Sequence, residues 1–122
     1  MSATSLHEDA AGLTASTIDE HRAYRSLMEE LEAIDWYAQR IDATADAGLK
    51  AVLRHNRDEE KEHAAMVLEW LRRRDPVLDR YLRVYLFTAG PLTQIEEAAE
   101  NGAEEPAQSG SLEIGSLRAP RQ

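Results

Sequence analysis

Glu60 and His63 stand three residues apart in the run DEEKEHAAM, Asp58 to Met66, of a chain of 122 residues. On a helix, side chains at that spacing reach a common point beside the axis. A carboxylate oxygen and an imidazole nitrogen converging there form a ligand pair for hard and intermediate divalent cations. Another acid, Glu30, lies in the earlier run MEELEAIDWYAQR, Met28 to Arg40, with Glu29, Glu32, Trp36 and Tyr37 close by. There is no cysteine anywhere in the chain, so disulfides and thiolate metal sites are excluded. Any bound metal must be held by carboxylate, imidazole or carbonyl groups. Glu-x-x-His alone carries little weight, because fifteen Glu and four His in this length supply about half an instance by chance. Its meaning depends on where the elements put it.

Those elements read as helices. From about residue 16 to 43 there is no Gly or Pro, and Glu, Ala, Leu and Arg dominate, which predicts a long helix. The stretch TADAG breaks it, with Thr44 or Asp46 as N-cap of a second long helix over about 47–74. Arg72, Arg73 and Arg74 at its end complement the negative end of the helix dipole. Asp75-Pro76 is an N-cap followed by proline at the first helical position, which starts a shorter helix over about 76–88. Gly90-Pro91 breaks that helix, and Leu92 to Glu100 form one more short turn or helix.

Helical geometry then sorts the residues into faces. In the first helix Leu27, Leu31, Ile34, Ala38 and Ile41 follow the spacing of a buried stripe. Glu30 and Tyr37 flank it within roughly 80° of its centre, while Glu29, Glu32 and Trp36 fall near the opposite face. In the second helix the stripe is Leu49, Val52, Leu53, Asn56, Glu60, His63, Val67, Trp70 and Leu71. Glu60 and His63 thus occupy seam positions where the period asks for leucine, and charge on a buried seam needs partners. Ferritin-like di-iron bundles take one Glu from each of two helices and a Glu-x-x-His from each of the other two. Glu30, Glu60 and His63 are half of that inventory. A two-fold dimer would supply the whole set and turn two long helices into a four-helix bundle. Ferrous iron suits these ligands, and carboxylates that bridge two ions let dioxygen take electrons from both.

Blander readings stand beside the sharp one. The DEEKEH run can be a solvated face of charge pairs one turn apart. His55 lies off the seam, His21 faces away and His7 sits in a polar leader, so none is a ligand candidate. Trp36 reads as a subunit contact or as the aromatic edge of an acidic entrance that concentrates cations. Tyr37 reads as core, or as a hydroxyl that hydrogen-bonds to a ligand or bound metal. Asn56 is a polar residue on the seam with no assigned role.

Formal net charge is −9, from 23 acidic and 14 basic side chains, which disfavours nucleic acid and anionic membrane as partners. The opening MSATSLHED has neither a basic nor an apolar region, so it does not read as a secretory signal, and the cytoplasm is the default location. No apolar run reaches bilayer length. One domain over residues 1–100 is expected, followed by a polar linker, NGAEEPAQSGS, over 101–111. Apolar anchors then return at Leu112, Ile114 and Leu117.

MEELEAIDWYAQR, HNRDEEKEHAAMVLEWLRRR and YLFTAGP closely resemble the encapsulated ferritins of bacteria and archaea. The resemblance spans nearly all the chain before the linker and is specific in spacing and in the Trp36-Tyr37 pair. It implies an all-α, ferritin-like antiparallel helical hairpin with a short C-terminal helix, made into a four-helix bundle by dimerisation, and a ring of such dimers. It implies iron ligation by Glu30, Glu60 and His63 with Tyr37 adjacent, and an outer uptake site at Glu29 and Glu32 beside Trp36 that also takes other divalent cations. The implied activity is oxidation of ferrous iron by dioxygen. SGSLEIGSLR, Ser109 to Arg118, resembles the cargo-loading peptide that docks inside encapsulin shells, over residues 112–122 with Leu112, Ile114 and Leu117 as anchors. Ala119-Pro120 departs from the usual pattern, which carries a glycine there. The implied location is therefore an encapsulin lumen, where the oxidised iron is stored. Two other readings stay open: a peroxide-consuming di-metal protein, and a non-catalytic, metal-binding helical adaptor.

Overall fold

The computed structural model describes residues 6–102. Among them the chain is all helical: a single 3-10 turn at Ala10–Gly12, then α1 (Ala15–Ala43), α2 (Ala47–Arg74), α3 (Pro76–Tyr85) and α4 (Leu92–Asn101). Of the linker expected over 101–111, residues 101 and 102 are described and Asn101 ends α4; the rest of it and the cargo-peptide segment expected over 112–122 lie outside the described residues. Two compact units divide between Leu78 and Asp79, and the first holds the α1·α2 hairpin.

Each end of the hairpin is set by local chemistry. Thr14 Oγ1 accepts a hydrogen bond from the Thr17 amide at 3.1 Å and caps α1. At the turn, Asp46 Oδ2 accepts from the Leu49 amide at 2.7 Å, so the second of the two expected caps opens α2. Thr44 instead closes α1, and its hydroxyl accepts from the Asp46 amide at 3.2 Å. At the open end, Arg74 donates to the Ser16 hydroxyl at 2.8 Å and lies 4.4 Å from the centre of the Trp70 ring. Glu69 accepts 2.7 Å bonds from Arg72 and from Arg73, which hold its carboxyl pKa down at about 2. Asp75 Oδ1 then accepts from the Val77 and Leu78 amides and starts α3. That helix stops at Tyr85, three residues short of the expected end, and Phe87 takes the left-handed φ of 63°.

The hairpin core is thin. Ile41, Ala64 and Leu71 are its buried apolar residues, and the rest of the seam is half-covered. The strip of α1 that meets α2 runs through Ala23, Leu27, Glu30, Ile34, Tyr37 and Ile41. This corrects the expected stripe: Leu31 is 52 % exposed and Ala38 is also exposed, because they lie to one side of the contact. On α2 the contact strip is Leu53, Arg57, Glu60, Ala64, Val67 and Leu71. Leu49, Val52, His63 and Trp70, expected in the same seam, are exposed on the hairpin. The apolar residues form two neighbouring stripes on each helix, and periodicity alone blends them into one.

Candidate metal centre

Glu60 sits in the α2 contact strip, beside Glu30 of α1. His63 follows one turn on, at the edge of the strip, with its Nδ1 3.5 Å from Glu60 Oε1. One ligand atom from each of Glu30, Glu60 and His63 falls within 4.8 Å of the others, the spacing from which a single cation can be held. Glu30 is half-buried, Glu60 is half-buried, and His63 is the exposed member, so the group opens toward one face of the hairpin.

Electrostatics mark Glu30. Its Oε1 is cut off from solvent and has no hydrogen-bond partner. Burial raises the pKa of its carboxyl above the ordinary range, the Glu60 charge raises it further, His63 acts in the opposite direction, and Glu29 adds a smaller rise. A buried carboxylate oxygen with nothing to accept from, pressed by a second carboxylate, is destabilised until a cation arrives. The donor set, two carboxylates and an imidazole, suits iron and similar divalent ions.

The other expected residues are not brought into this group. Glu29 and Glu32 are exposed on the outer side of α1, and Glu29 lies 3.7 Å from the Arg25 guanidinium. Trp36 is exposed beside them. Tyr37 is half-buried on the contact strip, two turns on from Glu30. Sequence reasoning missed Arg40, whose guanidinium lies 5.9 Å from the centre of the Trp36 ring and 5.8 Å from that of Tyr37. Its spacing of four and three residues from the two aromatics was the sign of such stacking. His55 pairs with Glu59 at 3.3 Å on the surface, away from the ligand group.

Residues 5–89 match the profile of the EncFtn-like family. The chain belongs to that family. It is similar to an encapsulated ferritin-like protein of Rhodospirillum rubrum, 53 % identical across 96 % of this chain and 90 % of the relative. A ferritin-like protein of Thermotoga maritima is 52 % identical over 84 % of this chain and 90 % of its own length. An encapsulin nanocompartment cargo protein of Myxococcus xanthus is 39 % identical over 73 % and 76 %. Among solved structures, a protein from Nitrosomonas europaea superposes with a TM-score of 0.70 at 57 % identity, covering 71 % of this chain and 96 % of that one. The fold is thus that of an encapsulated ferritin: all helical and ferritin-like. Among the described residues no helix is long and apolar enough to cross a membrane.

Proposed function

We propose that this EncFtn-like chain is a ferroxidase whose site is shared by two subunits, and that it works as cargo in the lumen of an encapsulin shell. Glu30, Glu60 and His63 hold the substrate, ferrous iron, and a second copy supplies the matching three ligands. The observation that carries this reading is the unpartnered, buried Glu30 oxygen beside Glu60 and His63. Two ferrous ions bound there each give up one electron to one dioxygen, which takes two protons from solvent and departs as hydrogen peroxide, and the ions leave as ferric product. The residues favour this by charge: four carboxylates around two ions stabilise the higher charge of the product more than that of the substrate. Tyr37, two turns on along the same strip, donates its hydroxyl to a ligand carboxylate of the assembled site. Glu29 and Glu32, beside Trp36, concentrate cations on the outer side of α1.

The names of the relatives in Rhodospirillum rubrum and Myxococcus xanthus support the cargo reading. Leu112, Ile114 and Leu117 are the anchors that dock to the shell, and dimers assemble further into a ring. Replacing Glu60 or His63 by Ala should abolish iron oxidation above the buffer rate. Unchanged rates in both variants would remove the Glu30, Glu60 and His63 group as the site of oxidation. A reporter fused to residues 101–122 and co-expressed with an encapsulin should be captured; failure of capture would remove the cargo assignment.

A further inference from the structure

On the side of α1 away from α2, Arg25, Glu29, Glu32 and Trp36 follow one another at spacings of four, three and four residues. That spacing places them within about 60° of one another around the helix axis. Leu27, Glu30 and Ile34 of the contact strip occupy the opposite side. Glu29 and Glu32 are the carboxylates proposed to gather cations, and Arg25 is a cation already standing one turn from the first of them.

Arg25 is held there loosely. Its Nη2 lies 3.7 Å from Glu29 Oε2, beyond hydrogen-bond length but well within reach of charge. The rest of the guanidinium is little engaged: Nη1 reaches only the Met28 sulfur, at 4.0 Å, and Nε is cut off from solvent with no hydrogen-bond partner. Elsewhere the chain closes such pairs tightly. Arg22 meets Asp19 at 2.8 Å on the same helix, and Arg73 meets Glu69 at 2.7 Å on α2. All three pairs join residues three or four apart, so helical geometry does not impose the longer distance. Charge, and not a directed hydrogen bond, keeps Arg25 beside Glu29, which leaves that carboxylate easy to release.

We infer that Arg25 is the resident counter-ion of the outer site, and that a divalent cation enters by displacing its guanidinium and binding Glu29 and Glu32 together. The inference rests on the outer-site reading and adds a residue that regulates it. The balance of charge gives the exchange its direction. Without metal, Arg25 offsets one of the two carboxylate charges. A monovalent cation taking its place brings no more charge than it removes. An ion of charge two offsets both carboxylates, and it repels the guanidinium it has displaced. Arg25 thus lowers the affinity of the site for every cation and leaves ions of higher charge as the ones that compete.

Trp36, 48 % exposed beside the two carboxylates, supplies the readout. Terbium(III), a hard ion with a preference for oxygen ligands, emits when an excited indole close by transfers energy to it. In the full-length protein, the part of that emission lost in Glu29→Gln reports the outer site. Arg25→Gln should lower the terbium dissociation constant of that part about two- to fivefold, the range for an exposed pair one turn apart. Arg25→Lys keeps the charge and should bind as the parent does. Arg54→Gln, which removes the same charge from an exposed position on α2, should also bind as the parent does. In about 1 M potassium chloride, where the Debye length is about 3 Å, the gain in Arg25→Gln should shrink. Unchanged or weaker binding in Arg25→Gln would overturn the counter-ion role. So would an equal gain in Arg25→Lys or Arg54→Gln, or a gain undiminished by salt. Emission indifferent to Glu29→Gln would remove the outer site and the counter-ion together. Terbium is not oxidised in this assay, so its outcome is separate from that of the ferroxidase reading.

Discussion

At the scale of single residues, Glu30 is the informative side chain. Its buried, unpartnered oxygen costs the metal-free fold stability, and a cation bound there as proposed would recover that cost. Glu30→Gln should therefore leave the metal-free protein at least as stable as the parent, while the rise in Tm on adding a divalent cation disappears. A Gln variant that lost stability without metal, yet still responded to cations, would contradict the role. Glu69 tests a purely structural pair. Its folded value of about 2 lies below the ordinary 4.5, so its contribution is complete above pH 4.5 and is lost as pH falls toward 2. Glu69→Gln should flatten that acid limb by an amount on the order of 0.5 kcal/mol, small because the side chain is well exposed; urea titrations at pH 6 and pH 3 measure it. Ligand types and spacing made Glu60 and His63 legible in the chain. Arg40 was overlooked: its spacing from Trp36 and Tyr37 permits stacking, but which rotamer it takes is not displayed in a sequence.

At the scale of elements, boundaries followed from local chemistry. Asp46 caps α2 because its carboxylate reaches the Leu49 amide, and the Asp75-Pro76 pair opens α3 by the same logic. Asp46→Ala should cost about 1 kcal/mol of hairpin stability, read as a lower midpoint in chemical denaturation with unchanged slope. What the periodicity could not resolve was which of two adjacent stripes faces the chain's own second helix. Leu31 and Ala38 satisfy a helical period as well as Leu27 and Ile34 do, but they lie outside the α1·α2 contact. An apolar residue awaiting a partner chain and one buried within the hairpin look alike in sequence. Glu30 was accordingly expected at the seam's edge, and it stands in the contact strip itself.

At the scale of the whole molecule, a hairpin whose buried apolar residues are Ile41, Ala64 and Leu71 has a small core for its length. Exposed Val52, Met66 and Trp70 would supply apolar area to the second copy that the proposed shared site requires. With such a dimer, folding and association would be coupled, and Tm should rise with protein concentration, by several degrees over a hundredfold range. A Tm independent of concentration would mean that the hairpin is stable alone. The central claim is that Glu30, Glu60 and His63 of two copies together oxidise iron. A ferrous-iron titration of purified protein in air, with ferric absorbance and light scattering followed together, tests it most directly. The account predicts rapid oxidation by an oligomer and its loss in Glu60→Ala with the oligomer intact. Oxidation at the buffer rate by the unaltered oligomer, or an undiminished rate in Glu60→Ala, would contradict it.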